Sequence, residues 1–355
     1  MKKNYFNSLM IGLISVSLLS VSCKKDKDYD IPTTYNFTNA SYSGQVERLD
    51  MLGELETYMK TANTSGTVVD AATMKSMFSN DGHTWTATDL NSSTKQLKSK
   101  TFELAQVQFE SYMDSLASIS TSVTAGSNGV AGVVSSSDGA KNYLFNANGV
   151  EYTQLIAKGI MGACFYYQSS SVYTGTDKMN VDNSTLVDGK EYTEMEHHWD
   201  EAFGYFGAPV DFTNASAEGY RYWAKYAFKG DAAHDLINKT MTAFIKGRAG
   251  ISNQDTDTRD AQITELRTQW ELISVTTAIY YLEAAKGNIA DDALRNHELS
   301  EALAFIRALA YNVDARISAT EIAAVEAHLG TNFYTVSATH IDAAISQLKT
   351  IYGIS

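Results

Sequence analysis

Residues 43–59, SGQVERLDMLGELETYM, decide the fold class. Val46, Leu49, Leu52, Leu55, Tyr58 and Met59 recur every three or four positions and form one apolar stripe, the spacing of a helix buried along one face. The same period governs most of the chain. Asp70 can cap a short helix through Phe78, and a long one is predicted from Thr94 to about Ile119, with Leu97, Phe102, Leu104, Val107 and Tyr112 on or near its buried side. Glu151 to Tyr167 is almost wholly apolar, with Leu155, Ile156, Ile160, Met161, Cys164 and Phe165, and predicts a central helix. Further helices are predicted over Tyr192–Phe206, Ala217–Lys246 with a break near Gly230 and Asp231, Thr258–Ala285, Asn296–Tyr311, Ser318–Leu329 and Ala338–Tyr352. Ser318 and Glu321 form a capping box.

Pro32 and Pro209 are the only prolines, so nearly the whole interior is free of helix breakers. Alternating β-branched runs are scarce. The expected fold is therefore all-α, one or more antiparallel helix bundles over residues 41–355. Residues 121–149 break the pattern. Their Ser and Asn content and Gly126, Gly129, Gly132 and Gly139 predict a long surface loop or small irregular excursion, with mobility.

The N-terminus carries an address. Lys2 and Lys3 precede an apolar run from Leu9 to Val21, too short for the ~20 residues that span a bilayer. Residues 1–22 read as a signal peptide. Ser20 and Ser22 precede Cys23, and a charged tail follows from Lys24 to Asp30, so the segment resembles a bacterial lipoprotein box with Cys23 as the lipidated residue. An ordinary secretory signal cleaved near Ser22 is the alternative. Residues 23–40 are expected to form a flexible tether, and the acidic residues behind Cys23 resemble surface-export tags. The expected location is the outer membrane, on its periplasmic or cell-surface side.

With only Cys23 and Cys164, the chain has no disulfide framework. Cys164 reads as a small core residue. The formal charge is −13, and loss of Lys2 and Lys3 with the signal leaves 26 basic residues against 41 acidic, or −15. Such a surface repels nucleic acid and anionic headgroups and favours cations.

Polar chemistry is densest from Tyr192 to Gly207. On a helix, His198 and Glu201 are three apart and His197 and Glu201 four apart, so either imidazole can meet that carboxylate on one face. Imidazole plus carboxylate is a zinc or iron donor set, which Glu194 can complete or orient. An aromatic-faced helix with ordinary charged contacts explains the same residues. The spacing His-x-x-x-Glu-Ala recurs at His297 and Glu301, which suggests an internal duplication in which two such helices face each other across a bundle. The chain lacks His-Glu-x-x-His, the Gly-x-Ser-x-Gly elbow and a phosphate-binding Gly loop, which argues against an enzyme.

The string Glu196-His197-His198-Trp199-Asp200-Glu201, followed by Phe203 and Phe206, resembles the Gly-x-His-x-x-Glu marker of imelysin-like proteins, with Glu196 where that family has Gly. From His197 through Pro209 the chain more closely resembles an uncharacterised lipoprotein family of the Bacteroidota, a domain of unknown function associated with imelysins and TonB-dependent receptors in iron-uptake loci. The resemblance implies an imelysin-like helical fold, a role in iron acquisition, and a TonB-dependent receptor or imelysin-like protein as partner. It implies His198 and Glu201 as metal ligands.

Three functions follow as expectations. The first is a lipid-anchored metal-binding or accessory protein, with iron or zinc ahead of haem. The second is a nutrient-binding lipoprotein that offers Tyr166, Tyr167, Tyr220, Tyr222, Trp223 and Tyr226 to glycans or peptides. A buried core face explains the Tyr222–Tyr226 spacing equally well. The third is an imelysin-like metallopeptidase.

Overall fold

The computed structural model describes residues 29–212, 216, 218–230 and 234–354. The expected signal peptide and the lipidation residue Cys23 lie outside them. Twelve α-helices are found among the described residues: α1 (Ser43–Lys60), α2 (Ala71–Ser79), α3 (Glu103–Ser120), α4 (Tyr152–Ile160), α5 (Thr176–Met179), α6 (Glu194–Phe206), α7 (Tyr222–Gly230), α8 (Leu236–Ser252), α9 (Thr256–Gly287), α10 (Asp292–Ala308), α11 (Ala319–Leu329) and α12 (Ala338–Tyr352). The fold is all-α in its main body. None of the described helices is long and apolar enough to cross a membrane.

The 32-residue α9 is the axis, about 48 Å long at 1.5 Å per residue. Helices α8 and α10 lie along it, α7 and α12 pack against it, and α10 in turn carries α4. Where α6 packs against these helices, Trp199, Trp223, Trp270, Phe203, Phe206 and Phe244 are buried. Their rings meet edge to face, as in Phe206 and Trp270 at 5.0 Å and Trp223 and Phe305 at 5.6 Å. Gly247 permits this packing. A Cβ there would stand 2.1 Å from Trp199, so only glycine lets α8 approach α6 this closely.

Local signals set the helix ends. The Asp70 carboxylate accepts from the Thr73 amide, Ser318 and Glu321 form their capping box, and α12 has the predicted bounds. Helix α3 differs. It starts at Glu103 because the Phe102 amide donates to the Ala163 carbonyl, at 2.8 Å, and fixes the chain in turns before that point. Its buried stripe is Ala105, Phe109, Met113 and Leu116, while Leu104 and Val107 are 80% and 72% exposed. Leu97 is buried but precedes the helix.

The segment expected to be an irregular loop contains a hairpin. β1 (Gly132–Ser135) pairs antiparallel with β2 (Asn142–Phe145), Gly132 opposite Phe145. Leu144 and Phe145 are buried, and the Leu144 amide donates to Asn63 Oδ1 at 3.0 Å. Glycine and serine supply the turns, while the apolar end of β2 supplies the anchor. The central helix also departs from expectation. After Ile160 it widens into π-helical turns that run on from Met161 to Tyr173.

The tether assignment over residues 23–40 is corrected for its second half. Tyr35 is fully buried, stacked 3.7 Å from the Phe203 ring, with its hydroxyl donating to Asp200 Oδ1 at 2.8 Å. Asn39 Oδ1 accepts from Arg248 Nη2 at 2.9 Å. Residues from Ile31 onward therefore belong to the compact helical unit. Burial of one aromatic ring and pairing of the polar groups beside it outweigh the entropy of a free tether.

Candidate functional site

Helix α6 is fixed before its histidines are placed. Thr193 and Glu196 make a capping box, and Glu196 Oε1 also accepts from Arg248 Nη1 at 2.6 Å. Trp199 fills the notch at Gly247 and donates to the Phe244 carbonyl at 2.9 Å. This rotation brings Glu194, His197, His198 and Glu201 to one side. His198 Nδ1 lies 3.4 Å from Glu201 Oε2, and its Nε2 lies 3.4 Å from Glu194 Oε1. His197 Nε2 stands 4.0 Å from Glu201 Oε2, its Nδ1 lies 3.0 Å from the Ser41 carbonyl, and its ring stacks on Tyr192 at 4.7 Å.

Glu201 is the best-bound carboxylate of the group. Its Oε1 accepts from Gln45 at 2.8 Å and from the Tyr173 hydroxyl at 3.0 Å. Burial pushes its pKa up, but His198, His197, Gln45 and Tyr173 together outweigh burial and hold it at about 2. His198 buries its Nε2 with no hydrogen-bond partner. Among the described residues, no three His, Cys, Asp or Glu side chains converge in an arrangement that could hold a metal ion.

His297 and Glu301 lie in different surroundings. His297 Nδ1 is 2.6 Å from Glu151 Oε2, and its ring stacks on Tyr143 of β2 at 4.1 Å. Burial works against its charge, but the Glu151 carboxylate raises its pKa above the ordinary 6.5. Glu301 Oε1 is 3.7 Å from Lys158 Nζ, and its buried Oε2 has no hydrogen-bond partner. The His198 and His297 groups share no partner. The two helices therefore do not pool their histidines in one site, as the repeated spacing suggested, because the buried Glu151 before α4 claims His297.

A cavity of about 790 Å³ opens among α1, α4, α7 and α9. Its cations are Lys60, Lys158, Arg221, Lys225 and Lys229, and its one carboxylate is Glu56. Aromatic walls come from Tyr220, Tyr222 and Tyr226 on one side and Tyr280 and Tyr281 of α9 on the other. Lys225 and Lys229 are four residues apart on one face of α7, and Arg221 immediately precedes that helix. Arg221 pairs with Asp50 at 2.7 Å, whereas Lys225 and Lys229 make no ion pair among the described residues.

Lys158 is the buried member, its side chain 10% exposed. Glu56 Oε1 lies 3.3 Å away and Glu301 Oε1 3.7 Å away. Burial works against its charge, and Glu301 and Glu56 outweigh burial, so its pKa is raised. Tyr222 enters α7 with φ 43°, a left-handed conformation rare for an aromatic residue. It is held there by its hydroxyl, which donates to the Leu49 carbonyl at 2.9 Å, and Gly53 leaves room for that hydroxyl. Backbone strain of this kind gathers at binding sites.

Of the aromatic residues singled out in the sequence, Tyr220, Tyr222 and Tyr226 line this cavity. Tyr166 and Trp223 are core, and Tyr167 packs on Phe102 at 5.1 Å. Sequence reasoning passed over Lys158, Arg221 and the two α7 lysines. Their signals were a lone lysine inside an apolar helical run, and a basic period of four beside a tyrosine period of four.

No curated protein and no solved structure matches the chain. The family described as Domain of unknown function (DUF4856) matches residues 32–332, most of the sequence, and the chain belongs to that family.

Proposed function

We propose that this protein is a binding protein, held at the outer membrane by lipid on Cys23, which captures an anionic small molecule in the cavity among α1, α4, α7 and α9. One observation carries the reading: five cations line about 790 Å³ against three carboxylates paired with them, Glu56, Asp50 and Glu301, so that a positive excess among the described residues faces the cavity in a chain of formal charge −13. That volume suits a small organic ligand. Cations in a recess with low-dielectric walls attract an anion more strongly than the same charges on an open surface. In this reading, which rests on the resemblance of the α6 motif to imelysin-like Bacteroidota lipoproteins, the capture serves iron acquisition beside a TonB-dependent receptor or an imelysin-like partner, and the bundle arose by internal duplication.

The test is calorimetric titration of the full chain in detergent with a panel of ring-bearing carboxylates and sulfates. Affinity is expected to fall with salt and in a Lys225→Ala/Lys229→Ala variant. Affinity indifferent to both overturns the reading.

A second reading is iron or zinc binding at α6, favoured by the buried Nε2 of His198, which makes no hydrogen bond and lies 3.4 Å from Glu194, with Glu201 beside the same ring. Haem ranks behind both metals. Metal uptake measured by elemental analysis and lost in His198→Ala/Glu201→Ala supports it, while a metal-free wild type after exposure to either ion ends it.

A further inference from the structure

We infer that the anion taken by the cavity is an acidic saccharide, a hydroxylated ring carrying carboxylate or sulfate groups. The inference rests on the anion-binding reading above and names its ligand class.

Three features of the lining converge on that class. The walls are tyrosine rings, the flat faces against which the C–H face of a sugar ring packs. Tyr280 is 62% exposed at the edge of the cavity, set edge to face against Tyr281 at 5.3 Å, a large ring that contributes little to the core. Lys225 and Lys229 follow one another on the same face of α7 with no ion pair among the described residues. Two adjacent cations with no ion pair among the described residues suit charges carried on neighbouring sugar units.

The third feature separates a sugar acid from other anions. Glu56 stands among the cations, and its Oε1 takes both Lys60, at 2.8 Å, and Lys158, at 3.3 Å. No hydrogen bond among the described residues engages its Oε2. Burial pushes the Glu56 pKa up, but Lys158 and Lys60 outweigh burial and lower it. An ionised carboxylate only accepts hydrogen bonds, so it disfavours an anion that offers no donor and receives a ligand hydroxyl. Inorganic phosphate or sulfate uses neither the tyrosine walls nor a volume of about 790 Å³. A ligand that satisfies cations, ring faces and a hydroxyl acceptor together is a polyhydroxylated acid.

The experiment titrates the full chain in detergent with trigalacturonate, a sulfated disaccharide, a neutral trisaccharide, 4-hydroxybenzoate, an acidic tripeptide and inorganic sulfate. Binding of trigalacturonate or the sulfated sugar, with none of the neutral sugar, is the expected result. Tyr280→Ala, at an exposed position, is expected to weaken it about fivefold with an unchanged melting temperature. Lys225→Ala/Lys229→Ala is expected to weaken it about tenfold. Binding of 4-hydroxybenzoate, the peptide or sulfate without the acidic sugars overturns the saccharide assignment and leaves the anion-binding function standing. Equal binding of neutral and acidic sugars, or binding of no anion at all, overturns both.

Discussion

Lys158 Nζ lies 3.3 Å from Glu56 Oε1, a pair that spans 102 positions of sequence and joins α4 to α1 at the wall of the cavity. Glu301 of α10 stands on the other side of the same ammonium at 3.7 Å. One lysine thus bridges two carboxylates from two helices, and Lys60 supplies Glu56 with a second cation. Lys158→Met is expected to cost about 3 kcal/mol of stability, because it leaves the buried Glu301 without a cation and Glu56 with Lys60 alone. Urea unfolding measures it. Adding Glu56→Gln and Glu301→Gln is expected to restore most of the loss, and a triple variant as unstable as the single one rules out this origin.

Arg248 performs the same task for the N-terminal segment. It is fully buried and bonds Glu196, Asp200 and Asn39. Arg248→Met is expected to destabilise by about 3 kcal/mol and to raise hydrogen exchange across residues 35–41. Tyr35→Phe, which removes only the bond to Asp200, is expected to cost about 1 kcal/mol.

Glu201 sets part of the acid limit. Its folded pKa of about 2 lies below its ordinary value of 4.5, so its contribution is present in full above about pH 4.5 and is lost as pH falls toward 2. That contribution is about 3 kcal/mol. Glu201→Gln is expected to flatten stability against pH between 4.5 and 2, read from urea midpoints across that range.

His297 acts on the opposite limb. Its folded pKa is raised, so its stabilisation is complete below about pH 6.5 and fades as pH rises through the folded value. His297→Phe retains a ring against Tyr143 and removes the charge beside Glu151. The variant is expected to be about 2 kcal/mol less stable than wild type at pH 6, with a smaller gap at pH 9. Equal gaps at the two pH values contradict the charge assignment.

Helix positions were legible wherever burial followed a single period. The stripe of α1 is buried at Leu49, Leu52, Leu55 and Met59 but not at Val46, which is 38% exposed. The Asp70 cap, the Ser318 and Glu321 box and the bounds of α12 depend on contacts within a few residues. The face of α3 was misread at Leu104 and Val107 because their neighbours are chosen by tertiary packing. The hairpin escaped notice because four-residue strands amid Gly and Ser carry almost no period. On α6 the spacing of His197, His198 and Glu201 foretold their contacts, since residues three and four apart meet on any helix.

Short-range geometry therefore let the sequence alone determine the helical class, most helix spans and the His–Glu side of α6. Long-range packing decided the rest. Only the tertiary structure seats Tyr35 in the core, turns His297 toward Glu151, and gathers cations from α1, α4 and α7 around one cavity. The physical reason is that a buried charge has to find its counter-charge wherever the chain brings one, and for Lys158 the partners lie on α1 and α10, far away in sequence.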